Sequence, residues 1–186
     1  MSALTYFHAQ AHNNAWANHR LLKACAQLAQ AELDAKRTSF FPSIIHTLNH
    51  NYTVDWFYIS ALEGASVGRS AFRPEIPFPA IADLDRAQRA MDGRLINFCE
   101  KLGGAGLSAS VALVRDGWTQ IEVVDRVLLH LFQHQIHHRG QVHSMLAGTA
   151  VAPPQLDEFF LGHEKEQELR RQDFAELGFT ENSIWG

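Results

Sequence analysis

Apolar residues recur at three- and four-residue intervals along most of this chain, a spacing that predicts amphipathic helices. The first stripe, Leu4, Phe7, Ala11, Leu21, Leu22, Cys25 and Leu28, predicts a helix over about 4–33. A second begins near Pro42, suited to a first helical turn because its missing N–H would be unpaired there anyway, and runs through SIIHTLNHNYTVDWFYISALEG to Gly64. A third extends from about Asp83 through LDRAQRAMDGRLINFCEKL to the glycines at 103 and 104, with Gly93 as a weak point inside it. After a loop or short hairpin over 103–118, Thr119 stands three residues before Glu122 in capping-box spacing, which starts a fourth helix that reaches about Leu146. VAPPQLDEFF breaks the chain, and EKEQELRRQDFAELG predicts a polar surface helix held by Leu169, Phe174 and Leu177.

The stretch GASVGRSAFRPEIPFPAIA carries two glycines and three prolines and cannot sustain regular structure, yet it is long enough to cross a bundle end to end. Short links force helical neighbours to be antiparallel and long ones permit a parallel crossover, so the pattern points to an all-α four-helix bundle that is not simply up-and-down. No strand is convincing and no internal repeat is visible. With 186 residues, 46% of them hydrophobic, the chain reads as a single domain over 1–186.

A net charge of −4 gives no basic surface for a polyanion, which argues against a nucleic-acid partner. No run approaches the roughly 18 apolar residues that span a bilayer, and MSALTYFHAQAHNNAW lacks the basic start and apolar run of a signal peptide, so a cytoplasmic protein with no membrane partner is expected. Cys25 and Cys99 have no CxxC partner and read as buried structural thiols.

The chemical signal lies in the histidines. In HLFQHQIHHRGQ, residues 130–141, His130, His134 and His138 stand four apart on one helical face; His46 and His50 do the same on the second helix. Two such ladders facing each other across packed helices can close a three-histidine metal site. Asp55 projects from a different side of its helix than His50, and Arg139 reads as structural. His8, His12, His19, His143 and His163 read as surface or packing residues, and His137 points away from the 134/138 face. HEKEQ at 163–167 opens like a zinc-protease motif but ends in Gln167, no Glu precedes a His by three residues, and no GxSxG, P-loop or GxGxxG motif occurs.

SIIHTLNHNYTVDWF, followed about eighty residues later by HLFQHQIHHRGQVHSML, resembles the DinB family of damage-inducible helical proteins, which is unrelated to the translesion polymerase of the same name. AHNNAWANHRLL and LGFTENSIWG are similar to proteobacterial members. The resemblance implies a bundle of up-down-down-up order with the long crossover between helices 2 and 3, a short C-terminal helical extension, and a homodimer. It also implies a divalent metal on His50, His134 and His138, with His46 and His130 as pocket walls or alternative ligands; imidazole ligands suit zinc or nickel, and Gln141, seven residues after His134 and so on the same face, reads as a polar lining group. Three imidazoles leave coordination positions open. The expected function is therefore a metal-dependent enzyme acting on a small molecule, and the resemblance, to a superfamily whose members use low-molecular-weight thiols, implies in first place a thiol transferase. A metal-dependent hydrolase or a non-catalytic metal-binding stress protein are the alternatives, and the absence of a carboxylate on the 134/138 face tilts the choice towards thiol chemistry.

Overall fold

In the computed structural model, which describes residues 2–185, seven α-helices carry most of the chain and one antiparallel hairpin is the only sheet among the described residues. Helix α1, Ala3–Cys25, starts at Ser2, whose side chain accepts the Thr5 N–H. It stops well before residue 33. A separate short helix α2, Gln30–Asp34, follows, and the break lets Leu28 and the buried Leu33 turn back onto the cluster of Leu22, Ile44 and Leu146 instead of running past it. Helix α3, Ile44–Leu62, is capped by Ser43, so Pro42 stands just outside it. The link over 63–80 contains one 3-10 turn at Gly68–Phe72 and leads to α4, Ile81–Lys101. Both cysteines are free and buried, and burial pushes each thiol up to about 12.

The capping box expected at Thr119 and Glu122 does not form. Thr119–Val123 is strand β2, paired antiparallel with β1, Ser110–Val114, from Ser110 opposite Val123 to Val114 opposite Thr119. TQIEV alternates as a strand does, and Gly117, at φ +77°, makes the reversal between the strands. The hairpin buries Val111 and Leu113 against Phe57, Leu95 and Leu128, so the molecule is mostly helical rather than strictly all-α. Helix α5 then begins at Val124 and ends at Leu146.

The principal packing partners are α1 with α4, α4 with α3, α3 with α5, and α5 with α1, a closed ring of four. Beyond it, α6, Glu164–Leu177, ends at Gly178 in the left-handed conformation, and α7, Glu181–Trp185, follows. Phe174 joins Trp16, Phe159 and Ile184 in a separate apolar cluster, with Leu177 against it. Leu169 does not hold this helix: five residues before Phe174 it lies about 140° around the axis, and it is 55% exposed. No helix among the described residues is long and apolar enough to cross a membrane.

A buried polar network occupies the centre of the ring. Asp92 accepts hydrogen bonds from Asn14 (3.2 Å), Asn18 (2.9 Å) and Gln88 (3.1 Å); Asp55 accepts from Gln88 (2.8 Å) and Gln135. The Arg139 guanidinium donates to the side-chain oxygens of Asn14, Asn18 and Gln135. All four helices therefore contribute, and Arg139 is structural, as its position suggested. Burial, then the neighbouring Asp92, pushes the Asp55 carboxyl up to about 7; burial pushes Asp92 up to about 6.

Both carboxyls bind protons more tightly folded than unfolded, where they titrate near about 3.9. Their contribution to stability is present below that pH and is lost as pH rises through about 6 and 7. The Asp55→Asn variant removes one of the two titrations. Its melting temperature relative to the parent is expected to be higher at pH 8 than at pH 5, in thermal melts at fixed metal content; an equal gap at both pH values would contradict this.

Candidate metal centre

The same network sets the rotation of α5. Gln135 and Arg139, four apart, are drawn into the core, and at about 100° per residue this turns His134 and His138 away from the centre of the ring and towards α3. On α3, Asp55 is likewise drawn inward, as expected of a residue off the His50 face. His50 meets the α5 pair: ring centroids lie 5.0 Å from His134 and 4.7 Å from His138, and the α5 rings are 4.4 Å apart. One nitrogen from each of the three lies within 4.8 Å of the other two.

The His50 and His134 Nε2 atoms are 3.0 Å apart. Two imidazole nitrogens bound to one first-row cation at about 2.1 Å lie roughly 3.0–3.4 Å from each other, so the spacing fits shared coordination. The tautomer of His138 fits as well. Its Nδ1–H donates to Gln141 Oε1 (2.8 Å), while the Gln141 amide donates to His137 Nε2 (3.1 Å), which leaves His138 Nε2 with its lone pair free for a cation. Gln141, expected as a lining group, instead orients a candidate ligand and is not among the residues that line the cleft at His50. His137 is exposed but tied in through Gln141. His134 Nδ1 is buried with no hydrogen-bond partner among the described residues.

Burial, and then the adjacent imidazoles, lowers His50 to about 4 and His134 to about 3; burial also lowers His138, against the opposing effect of its bond to Gln141. All three rings are therefore neutral near pH 7, the state in which imidazole binds metal. The donor set and its protonation suit a divalent cation.

The neighbouring histidines are not drawn into the cluster. His46 packs on Phe41 and stands 3.7 Å from Glu75, as a wall residue. His130 is exposed beside Tyr58, with its ring centroid 6.2 Å from that of His134. Neither supplies an alternative ligand to the cluster of three.

Sequence reasoning missed the far wall. Asn49, next to His50 and fully buried, grips the link through both backbone groups of Phe78, donating to its carbonyl and accepting its N–H at 2.9 Å each. The link folds over α3 and encloses a cleft of about 690 Å³ that has His50 on its lining together with His46, Phe41, Arg69, Arg73 and Glu75. Phe41 stacks at 4.3 Å on His50 and 5.6 Å from His138. The only advance signal was the aromatic pair Phe40–Phe41 ahead of Pro42; nothing in the Pro-rich link marked its charged residues.

Protein DinB of Bacillus subtilis (strain 168) is 24% identical over 147 residues, covering 75% of this chain and 85% of that relative. The model of the DinB family matches residues 1–170, which include all three clustered histidines. The chain belongs to the DinB family.

Proposed function

We propose that this protein holds one divalent cation, zinc or nickel, on His50, His134 and His138, and uses it to catalyse a reaction of a small molecule, in first place transfer of a low-molecular-weight thiol. The observation that carries the reading is the convergence of three neutral imidazoles from two helices, one of which, His50, lines a cleft large enough for a metabolite. Such a cation lowers the pKa of a thiol or water that reaches its open positions, which makes a nucleophile at neutral pH. The protein's own residues hold the three lone pairs in place, through Gln141 on His138 and through the core anchors of α5. Phe41 and the link shield the site on one side, and Arg69 and Arg73 line the cleft through which a substrate approaches.

The scaffold in this reading is a four-helix bundle of α1, α3, α4 and α5 in up-down-down-up order. Asp55 with Gln88 and Ser60 with Arg94 advance together along α3 and α4, while Tyr58 with His130 and His50 with His138 run in opposite senses along α3 and α5, which supports that order. The reading also takes the protein as a cytoplasmic homodimer.

Glu75 favours a second reading, metal-dependent hydrolysis. The helices offer no carboxylate on the 134/138 face, but the link brings Glu75, 80% exposed, to the cleft beside His46, where it can serve as a base. One experiment tests the transferase reading. Untagged, zinc- or nickel-loaded protein is assayed with glutathione, mycothiol or bacillithiol and 1-chloro-2,4-dinitrobenzene, in which a sulfur–carbon bond forms, chloride leaves and the thiol proton is released. Thiol loss that disappears on chelation and in His134→Ala is expected. Turnover that survives chelation contradicts a metal-dependent mechanism, and no turnover with any thiol sinks the transferase.

A further inference from the structure

We propose a second divalent-cation site, made by His8, His12 and Glu100, across the helix ring from the first and independent of it. The first cluster lies between α3 and α5; this one lies between α1 and α4, the opposite side of the ring. His8 and His12 stand one turn apart on the same face of α1, with ring centroids at 4.5 Å. Glu100, the second-to-last residue of α4, reaches them, and one ligating atom from each of the three lies within 4.8 Å of the others.

Two features distinguish this trio from a chance meeting of polar side chains. The His12 Nδ1–H donates to the His8 backbone carbonyl at 3.0 Å, which fixes the tautomer and leaves Nε2 with its lone pair, the arrangement that orients metal-ligating histidines. His8 Nε2 is shut away from solvent and has no hydrogen-bond partner among the described residues. Its nearest carboxylate oxygen, on Glu100, is 3.9 Å away, too far for a hydrogen bond but within reach of a shared cation. A buried polar atom without a partner is costly, and a cation between these two groups would satisfy both. The Phe179 ring packs edge-on at 4.8 Å from His12 and closes one flank, while Glu100, 48% exposed, leaves the other accessible.

Two imidazoles and one carboxylate form a donor set suited to zinc and neighbouring first-row divalents. A third group of potential ligands, His19, Asp173 and Glu176, lacks this character. Arg20 and Lys23 already pair with its carboxylates, and Arg89 donates to His19.

The test is a titration of untagged, metal-stripped protein with zinc chloride, repeated with cobalt chloride to follow the visible absorption of each site as it fills. The parent chain is expected to take up two equivalents, one tight and one weaker. Glu100→Gln, a change at a half-exposed position that leaves the core intact, and His8→Ala should each lose at least tenfold in affinity for the weaker equivalent and keep the tight one. His134→Ala with His138→Ala should do the reverse, so failure of either site is read separately. Uptake of a single equivalent by the parent chain, or a weaker equivalent that persists unchanged in both Glu100→Gln and His8→Ala, would overturn the proposal.

Discussion

Arg139→Met is expected to destabilise the protein by about 3–5 kcal/mol at pH 8, as judged by urea unfolding, because it leaves two buried carboxylates without their cation. Methionine replaces the volume of the side chain but none of its donors, so the side-chain oxygens of Asn14, Asn18 and Gln135 lose a partner at the same time. The loss should shrink at pH 5. There Asp55 and Asp92, whose carboxyls titrate near 7 and 6, take up protons and no longer require a balancing charge. A destabilisation under about 1 kcal/mol at pH 8 would mean that the network is not held by charge.

The second large effect concerns the cation. Replacing both His134 and His138 by Ala leaves His50 alone at the cleft and should abolish tight zinc binding. It should also separate the thermal behaviour of the two proteins. A ligand that binds only the folded chain adds about 2.7 kcal/mol at a free concentration one hundred times its dissociation constant. Zinc should therefore raise the melting temperature of the parent chain clearly, and the double variant should show no comparable rise. Equal shifts in both would place the tight cation elsewhere.

The parts of the molecule that were legible in the sequence are those whose signal is local. The stripes on α1, α3, α4 and α5 repeat over many turns, and the four-residue steps from His134 to His138 and from His46 to His50 follow from helix geometry alone. Choosing His50 over His46 required the family resemblance, because both stand on one face of α3 and only the level at which α3 meets His134 and His138 separates them. TQIEV failed for a different reason. It satisfies a capping box and a strand equally well, and the pairing with SVALV that decides between them is not visible in either segment alone.

The core network was invisible because Asn14, Asn18, Gln88 and Asp92 are polar residues on helices, which read as solvent-facing until partners on three other helices are known. His8 and His12 show the same limit from the other side. Their spacing equals that of the α5 pair, but their third partner, Glu100, sits at the far end of α4 and gives no sign in the sequence of meeting them.

The measurement that bears most directly on the central claim is the metal content of untagged protein, by elemental analysis after exhaustive dialysis, for the parent chain and for His50→Ala. With the weaker equivalent lost on dialysis, joint ligation across α3 and α5 predicts one retained divalent ion per chain in the parent and essentially none in the variant. Full retention by His50→Ala would contradict it, since the α5 pair alone would then account for the site.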